Sequence, residues 1–306
     1  MPETSLAAAY FPPPLSGARL VLSYALWPAL MIGCIVVTWV GMSRGHAPLA
    51  FNLAYLGLAV SLFLLERYFP HERSWNENDG QIGVDFLHTL LNKGVVQLLV
   101  LVPAIFGMSV AMGAKQASGY WPAQWPMAGQ VVLGLVVAEF GLYWAHRLGH
   151  EVRWMWPFHA VHHSVTRLWF WNTGRFHFVD TIKSIVFMLP IPYLMGASGD
   201  VLMWVSMITP FIGMLTHCNV EMRFGWLNYI FNTPALHRWH HSRDLREGNK
   251  NYGENLMLWD LIFKSYFNAD RRPPVDIGIA EAMPPRFLSQ LRAPFVWRTM
   301  QTMRES

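Results

Sequence analysis

The chain has 306 residues, 53% of them hydrophobic and only 14% charged, and a positive mean hydropathy of +0.24. Because soluble domains carry about 25% charged residues, this composition excludes an ordinary soluble domain and is typical of an integral membrane protein. The formal net charge of +4 does not indicate a nucleic-acid partner, since basic loops on the cytoplasmic side of a membrane account for it.

The chain begins with the proline-rich stretch "MPETSLAAAYFPPP", which lacks the basic region of a signal peptide. We therefore expect the first apolar segment to be a retained helix and not a cleaved leader. Four apolar segments then have close to the roughly 20 residues that a helix needs to cross a bilayer. They are residues 20–42, 49–65, 94–113 and 127–144. The sequence predicts four membrane-spanning helices.

A fifth apolar region, residues 182–215, is interrupted by "ASGD" at residues 197–200. Each half has about 15 residues, which is short for a complete span, and the first half contains Pro190 and Pro192. A re-entrant or shallow helical hairpin and two crossings therefore fit equally well. The predicted fold is an all-α membrane helical bundle of about four spans plus this hairpin, with a cytoplasmic histidine-rich helical cap.

The orientation of the chain follows from its basic residues. If the N-terminus is cytoplasmic and the chain crosses four times, the loops with Arg44 and Lys115 lie outside, and all but these two of the 23 Lys and Arg residues lie inside. This distribution agrees with the positive-inside rule. The hairpin returns the chain to its starting side in either form, so the histidines from His146 to His241 are expected at the cytoplasmic face.

Three short motifs, "HRLGH", "HAVHH" and "HRWHH", concentrate histidines in the second half of the chain. They contain His146, His150, His159, His162, His163, His237, His240 and His241. Residues at i and i+3 or i+4 of a helix have Cβ atoms about 5–6 Å apart, so each motif can direct imidazoles at one ion, and the adjacent pairs can diverge toward two. Eight imidazoles exceed what one ion takes while keeping an open position. The motifs therefore predict two metal ions.

A cationic cluster that binds lipid headgroups is a less favoured interpretation, because Lys and Arg serve that purpose better at neutral pH. The isolated residues His46, His71 and His88 are expected to be structural. The two cysteines, Cys34 and Cys218, have no Cys-x-x-Cys partner and are expected to be small packing residues. The identity of the metal stays open at this point, since imidazole suits iron, copper, nickel and zinc.

The order of the three motifs, behind membrane spans, resembles the fatty acid hydroxylase and sterol desaturase superfamily. The likeness extends from about Glu139 to Phe267 and includes "EFGLYWAHRLGHE", "WPFHAVHHS", "RFH", "HCNV", "HRWHHS" and "NYGENLMLWD". The resemblance implies a membrane enzyme with two iron ions, zinc being possible in the purified protein, that uses O₂ and two external electrons to hydroxylate or desaturate a lipid such as an acyl chain or sterol. It also implies that the eight histidines are the ligands. Two departures from the family pattern, Phe178 after His177 and "FKSY" at residues 263–266, touch no ligand and concern the substrate.

Four further residues are candidates for the metal centre. "HCN", which contains His217, resembles the family's His-x-Asn and predicts a ninth ligand; the alternative is a helix-end histidine bonded to backbone carbonyls. Glu139 lies two turns before His146 on the same helical face, and we expect it to bond a ligand histidine, with snorkelling to the interface as the alternative. Asp180 and Asp244 are weaker candidates for that role and are equally well explained as solvated acids.

The sequence shows no dinucleotide-binding glycine motif, no haem-binding pattern and no cysteine-ligated iron–sulfur pattern. An oxygenase would therefore receive electrons from an external ferredoxin-like or cytochrome-like protein. The leading hypothesis is a lipid hydroxylase or desaturase. A zinc-dependent membrane hydrolase, in which metal-bound water is the nucleophile, is the alternative. A metal transporter is disfavoured because its ligands would lie at mid-membrane.

The predicted domains are a transmembrane scaffold at residues 1–144, a catalytic region at 145–270 that includes the hairpin 182–215, and an amphipathic tail at 271–306. The apolar side chains of the tail are expected at the membrane interface or over the core of the cap. They are Phe287, Leu288, Leu291, Phe295 and Trp297. "RLWFWN", at residues 167–172, is expected to form an interfacial aromatic belt, with a hydrophobic lid over the metals as the alternative.

Overall fold

The computed structural model describes residues 15–113 and 120–305. The N-terminal stretch used above to predict a retained first helix lies outside the described residues, as does Lys115, one of the two basic residues expected on the outer side. Within the described ranges the chain is all α-helical, with short 3-10 and π turns and without a β-strand. This confirms the predicted all-α fold class.

The α-helices of the described ranges are α1 (Gly17–Ser43), α2 (Ala47–Tyr68), α3 (Ile82–Leu87), α4 (Val102–Gly113), α5 (Met127–Glu151), α6 (Trp156–His163), α7 (Phe178–Met188), α8 (Pro190–Met195), α9 (Gly199–His217), α10 (Pro234–His240), α11 (Leu245–Gly248), α12 (Leu258–Ile262), α13 (Phe287–Arg292) and α14 (Trp297–Glu305). The 3-10 turns are Ser74–Asn76, Phe170–Gly174, Gly225–Tyr229 and Ala293–Val296. The π turns His88–Gly94 and Gln97–Leu101 join α3 to α4.

Within the described residues, six helical segments are long and apolar enough to cross a membrane. They are α1, α2, the segment Ile82–Met108, α5, the segment Phe178–Met195 formed by α7 and α8, and α9. The first four correspond to the four predicted spans, although the third begins earlier than predicted. The two arms of the predicted hairpin are helices of 18 and 19 residues, longer than the sequence suggested, because each continues through polar residues whose partners lie in the cap. Both arms therefore have the length and composition of complete spans.

The third span begins at Ile82, twelve residues before the predicted start at residue 94. The added turns contain polar side chains that are buried against partners from other segments. Asp85 accepts a hydrogen bond from Arg175 Nη1 (2.7 Å), and His88 contacts the side chain of Gln290 (Nε2 to Oε1, 2.9 Å). Hydropathy alone starts the span after these residues, whereas their buried partners allow the helix to begin before them.

The centre of the bundle is α9, which has 61% of its most apolar window buried, compared with 17% to 28% in the first three spans. It packs against α1, α2, α4 and α5. The outer helices expose large apolar side chains, among them Leu53 (58%), Leu98 (65%) and Phe106 (71%). Such a surface suits lipid contact, so α9 forms the inner wall of the bundle and the first three spans form its lipid-facing side.

The helices α5 and α7 pack with their backbones almost in contact at Gly141. A Cβ atom at this position would lie 1.9 Å from the carbonyl oxygen of Phe187, so only glycine fits there. The C-terminal end of α5, the N-terminal end of α7 and the C-terminal end of α9 meet at one end of the bundle. The segments 152–177 and 218–305 cover that end as a cap. The domain boundary predicted at residue 144 lies within the continuous helix α5.

The predicted aromatic belt is wrong. Trp169 and Phe170 are buried in the core, at 8% and 4% exposure, and the indole of Trp169 donates to Asp85 Oδ2 (2.8 Å). Both rings belong to a hydrophobic cluster with side chains of α1, α2 and α9, because the 3-10 turn Phe170–Gly174 packs against α9. In the tail, Phe287 lies edge-on to the His88 ring, with 4.9 Å between ring centroids, while Leu288 stays 75% exposed. The tail thus covers part of the cap and also presents apolar side chains outward.

Candidate metal centre

The structure gathers all nine candidate histidines into two adjacent groups. One consists of His146, His150, His159, His163 and His240, and the other consists of His162, His217, His237 and His241. Within each group the candidate ligand atoms lie within 4.8 Å of one another. All nine are buried except His150, which is partly buried. His217, which lies outside the three motifs, takes its place in the four-histidine group.

Local helical geometry explains this division. His146 and His150 are one turn apart at the end of α5 and direct both rings at the five-histidine group. In α6 the neighbours His162 and His163 diverge, one to each group, and His240 and His241 diverge in the same way at the end of α10. Adjacent positions on a helix point in different directions. The two His-x-x-His-His motifs therefore each supply both groups, as the sequence predicted.

Hydrogen bonds at Nδ1 fix the tautomers of four histidines in the five-histidine group. The acceptors are Tyr252 O for His146 (2.7 Å), Asn249 Oδ1 for His150 (3.1 Å), Asp180 Oδ2 for His159 (2.9 Å) and Lys250 O for His240 (2.7 Å). Each acceptor requires a proton on Nδ1, so the lone pair of each ring lies on Nε2. The Nε2 atom of His163 lies 3.1 Å from that of His150 and 3.0 Å from that of His159. Among the residues that the structure describes, the buried Nε2 atoms of His146 and His240 have no hydrogen-bond partner.

The four-histidine group converges in the same manner. The Nε2 atom of His217 lies 3.3 Å from that of His162 and 3.0 Å from that of His237, which in turn lies 3.0 Å from that of His241. His217 donates from Nδ1 to the carbonyl oxygen of Gly213, at 2.9 Å. His217 therefore makes the bond to a backbone carbonyl that was expected as the alternative, and it also belongs to the four-histidine group. The two roles are compatible because they use different ring nitrogens.

Both groups fit a metal ion. Nitrogen lone pairs only 3.0 to 3.3 Å apart repel one another without a proton or cation between them. Around an ion with metal–nitrogen distances of about 2.0–2.1 Å, neighbouring ligand atoms are separated by about 3.0–3.4 Å. The all-imidazole donor set suits iron, copper, nickel or zinc. The convergent nitrogens are thus the expected arrangement for one ion in each group.

Burial keeps the cap histidines neutral. It lowers the pKa values of His159, His162, His163, His237, His240 and His241 below the ordinary value, and for all but His159 neighbouring imidazoles lower them further. For His159 the Asp180 carboxylate opposes the effect of burial on the pKa. A metal ligand must be deprotonated at the binding nitrogen. The site therefore presents ligand-ready imidazoles at neutral pH.

The expected bond from Glu139 to a ligand histidine is wrong. Its carboxylate accepts hydrogen bonds from Glu254 N (2.6 Å), Asn255 N (3.1 Å) and Asn255 Nδ2 (2.7 Å). The loop that follows Tyr252 passes beside α5 at this level and satisfies the acid first. Because the same loop presents the Tyr252 carbonyl to His146, Glu139 acts on the histidine through the loop and not by direct contact.

Asp180 and Asp244 have different positions. Asp180 is buried, accepts from His159 Nδ1 at 2.9 Å and pairs with Lys183. This is the carboxylate–histidine arrangement that orients metal ligands. Asp244 instead caps α11 by accepting from Arg246 N (3.0 Å), and the Arg246 side chain lowers the pKa of Asp244 to about 2. Its predicted role beside a histidine is wrong, because its carboxylate is occupied by a partly exposed helix cap.

Three of the other four histidines have structural partners, and the fourth is exposed. His71 bonds Glu221 (Nδ1 to Oε2, 2.7 Å), His88 bonds Gln290, and His46 is exposed at the start of α2. His177 caps α7 through Nδ1 and donates from Nε2 to Leu291 O at 3.2 Å. The structural interpretation of the isolated histidines agrees with these contacts.

Sequence reasoning missed the part played by the loop of residues 249–255. Its backbone carbonyls and one side-chain amide hold three of the five histidines in the first group. The loop is itself held by Asp260, which accepts from Tyr252 N (2.8 Å) and Gly253 N (2.7 Å). The signal was the segment "NYGENLMLWD", but backbone acceptors leave no mark on residue type.

In the part of the chain that the structure describes, three neighbouring cavities lie between the lipid-facing side of the bundle and the histidines. The outer cavity is lined by apolar residues such as Leu101, Phe106 and Met203. It shares Leu101 and Pro210 with a middle cavity. The middle cavity shares Pro210 and Phe176 with an inner cavity. The three cavities together mark a route by which a lipid chain could approach the histidines from the bilayer.

The inner cavity and a separate pocket in the cap reach different histidines. The inner cavity is lined by His146, His162, His217 and His237. The cap pocket is lined by His150, His163 and His240 together with residues of the cap, including Trp156 and Arg243. The histidine assembly thus lies between the inner cavity, on the side of the membrane-spanning helices, and a pocket lined by the cap.

Comparisons with known proteins agree with this arrangement. A family model described as fatty acid hydroxylase matches residues 131–265. An ornithine lipid hydroxylase of Rhizobium tropici is 49% identical over 92% of this chain and 86% of its own length. The alkylglycerol monooxygenase of Xenopus tropicalis is 30% identical over 69% of this chain and 47% of its own length. A Delta(7)-sterol 5(6)-desaturase of Gibberella zeae is 28% identical over 48% of this chain and 43% of its own length. No solved structure matches significantly.

Proposed function

The chain belongs to the fatty acid hydroxylase and sterol desaturase superfamily, and on this premise we propose that it is an O₂-dependent hydroxylase of a membrane lipid, with two iron ions and an external electron donor. Its relatives are lipid hydroxylases and monooxygenases, so the chain is an oxidoreductase. The comparisons give no support to the zinc-dependent hydrolase. Hydroxylation is preferred over desaturation because the relative with 49% identity is a hydroxylase.

One observation carries the proposal: two groups of histidine nitrogens lie where the lipid-side cavities end and the cap pocket begins. The nine convergent imidazoles provide two candidate ion sites made of histidine alone, a donor set that suits iron. The two openings allow a lipid to approach from one side and small, soluble reactants from the other. This separation suits an oxygenase that acts on a membrane substrate.

Iron bound by these histidines would supply the reduction of O₂ that breaking an unactivated C–H bond requires. In the overall reaction a C–H bond of the lipid becomes C–O–H with one atom of O₂. The second oxygen atom leaves as water after two electrons and two protons are taken up. The protein would hold the imidazoles neutral and aligned through Asp180 and the carbonyl oxygens of residues 250 and 252, and its apolar cavities would exclude bulk water.

The substrate we propose is an ornithine lipid or a lipid with a similar amino-acid headgroup. The support is the identity of 49% over nearly the whole chain to an ornithine lipid hydroxylase. The outer cavity, with its apolar lining between α2, α4 and α9, would accept an acyl chain. The alkylglycerol monooxygenases and the sterol desaturase share less of the chain and less identity, so their substrates are less favoured.

The electron donor would dock at the cap pocket. Trp156 lies at its rim, with ring centroids 5.4 Å from His150 and 5.8 Å from His163. A donor seated there, a ferredoxin-like or cytochrome-like protein, would come close to the metal centre without entering the lipid path. The positive-inside rule favours a cytoplasmic position for this pocket, and a soluble donor would reach it from that side.

The test is a comparison of lipid extracts from host cells that make ornithine lipids and express either the wild type, His162→Ala or no protein. We expect an ornithine lipid heavier by one oxygen atom in wild-type cells alone, because loss of a ligand disrupts an ion site. A loss of two hydrogens would instead identify a desaturase. Hydrolysed lipid, or oxidised lipid at equal levels with His162→Ala, would contradict the proposal.

A further inference from the structure

A lysine lies within a membrane-spanning segment and lines the route to the metal centre. Lys93 belongs to the π turn His88–Gly94 in the third span, and its side chain lines both the middle and the inner cavity. A charged side chain within a span costs several kcal/mol on some scales and usually marks a functional site. π turns inside α-helices are also frequent at functional sites. Lys93 therefore calls for an explanation beyond packing.

Lys93 lies one aromatic ring away from the metal centre. Its Nζ atom is 4.9 Å from the centroid of the Phe176 ring, which stacks on His162 with centroids 4.2 Å apart and planes at 10°. The ammonium also donates to Thr173 O, at 2.8 Å. This bond leaves two of its three hydrogens for other partners. A group bound to Lys93 would thus lie beside the ligands of the four-histidine group.

An acid that lines the same cavities complements the lysine. Glu254 lines the middle and inner cavities with Lys93 and is close enough to interact with it electrostatically. Burial raises the pKa of Glu254 to about 7, although Lys93 and a hydrogen bond from Ser184 oppose the shift. Of the other charges near Glu254, Asp180 and Lys183 pair with each other. A carboxylate accepts several hydrogen bonds and gains from an additional cation, so Glu254 can bind a ligand while keeping its bond to Ser184.

We propose that Lys93 and Glu254 recognise the two opposite charges of a zwitterionic amino-acid headgroup, with Lys93 binding the carboxylate and Glu254 binding the ammonium. The inference rests on the proposed function, because an ornithine with one acylated amine keeps one amine and one carboxylate. An oppositely charged pair in a low-dielectric cavity matches such a headgroup and disfavours neutral or singly charged lipids. The pair is a specificity determinant of the hydroxylase.

The test measures equilibrium binding of three lipids to the full-length protein in phosphatidylcholine nanodiscs. The probes are an ornithine lipid, the same lipid with its carboxylate converted to a methyl ester, and the same lipid with its free amine acetylated. A hydrogen-bonded charge pair in a buried site corresponds to about 10-fold in affinity or more. The wild type should bind the unmodified lipid at least about 10-fold more tightly than either derivative.

Each substitution should abolish one of these preferences and keep the other. Lys93→Gln should bind the unmodified lipid and the methyl ester almost equally while still discriminating against the acetylated lipid, and Glu254→Gln should show the reverse. Lys93→Arg, which keeps the charge, should retain both preferences. The exposed residues Lys264 and Glu77 provide matched controls, Lys264→Gln and Glu77→Gln, that should behave as wild type.

A purely structural role predicts a different result. If Lys93 only anchors the Thr173 turn, Lys93→Gln will weaken all three lipids by the same factor, and that outcome overturns the proposal, as would unchanged preferences in both variants. If Lys93→Gln does not fold, the Glu254→Gln pattern decides alone. Failure of the wild type to bind or oxidise any ornithine lipid would reject the proposed substrate instead, so the two failures are distinguishable.

Discussion

At the scale of single residues, the ring nitrogen that carries the proton decides what each histidine can do. Nδ1 donates to a carbonyl or carboxyl oxygen in His146, His159, His217 and His240, which leaves Nε2 free to bind a metal. Two facing Nε2 atoms that both carried a proton could not lie 3.0 to 3.3 Å apart, as those of His159 and His163 and those of His162 and His217 do. The partners of Nδ1 are therefore part of the metal centre even though none of them binds the ion.

His217 gives a direct test of the four-histidine group. His217→Gln removes one of its four convergent nitrogens, so the iron content of gently purified protein should fall from near two ions per chain toward one. Iron per chain, measured by inductively coupled plasma mass spectrometry, checks this. His46→Gln, at an exposed histidine, is the control and should keep two ions. Unchanged iron and activity in His217→Gln would restrict that residue to its bond with Gly213.

Asp180 should tune the five-histidine group through His159. Asp180→Asn keeps the side-chain shape but weakens the bond to Nδ1, and the loss of such a partner typically costs about 10- to 100-fold in metal affinity or activity. Iron affinity measured with a competing chelator checks this. Asp244→Asn is the control, because asparagine caps a helix as well as aspartate does, and it should leave iron affinity unchanged. Equal effects of the two substitutions would remove Asp180 from the metal centre.

The sequence predicts which histidines converge far better than it predicts the groups that support them. Histidine spacing on a helix reports which rings share a face, so the division of His162 from His163 and of His240 from His241 follows from the motifs. Glu139 was expected to contact a histidine because helical periodicity places it above His146, but periodicity says nothing of the loop at Glu254 that reaches it first.

At the scale of elements, the contact between α5 and α7 holds the two halves of the first group together. One helix carries His146 and His150, and the other carries Asp180, the partner of His159. Their close approach depends on Gly141. The span predictions succeeded for long apolar runs, but the start of the third span was missed because Asp85 and His88 find buried partners that only the folded chain supplies.

Gly141→Ala should separate these two helices. The added Cβ atom would meet the Phe187 carbonyl at 1.9 Å, and overpacking of this kind costs about 1–3 kcal/mol. We expect a lower thermal unfolding temperature in detergent and a reduced iron content. Gly57→Ala, in α2, is the control, because a Cβ atom there meets nothing within 4 Å. A variant Gly141→Ala as stable and as iron-rich as Gly57→Ala would show that the two helices can move apart without consequence.

At the scale of the whole molecule, the metal centre joins two compartments. The lipid-side cavities begin between the outer helices and end at one face of the histidine assembly, while the cap pocket reaches the other face. Hydropathy and the even number of membrane crossings before and after the hairpin predicted that the histidines gather at one end of the bundle. They could not predict the two cavities, because a cavity depends on side chains from five or more segments that are far apart in sequence.

The central claim is that this assembly inserts an oxygen atom from O₂ into a lipid. The most direct measurement uses purified, iron-loaded protein with a reduced electron donor, an ornithine lipid and ¹⁸O₂, followed by mass spectrometry of the lipid. We predict one ¹⁸O atom in the hydroxylated product and none when ¹⁸O is supplied only as water. Product oxygen derived from water, or product formed without O₂, would contradict the account.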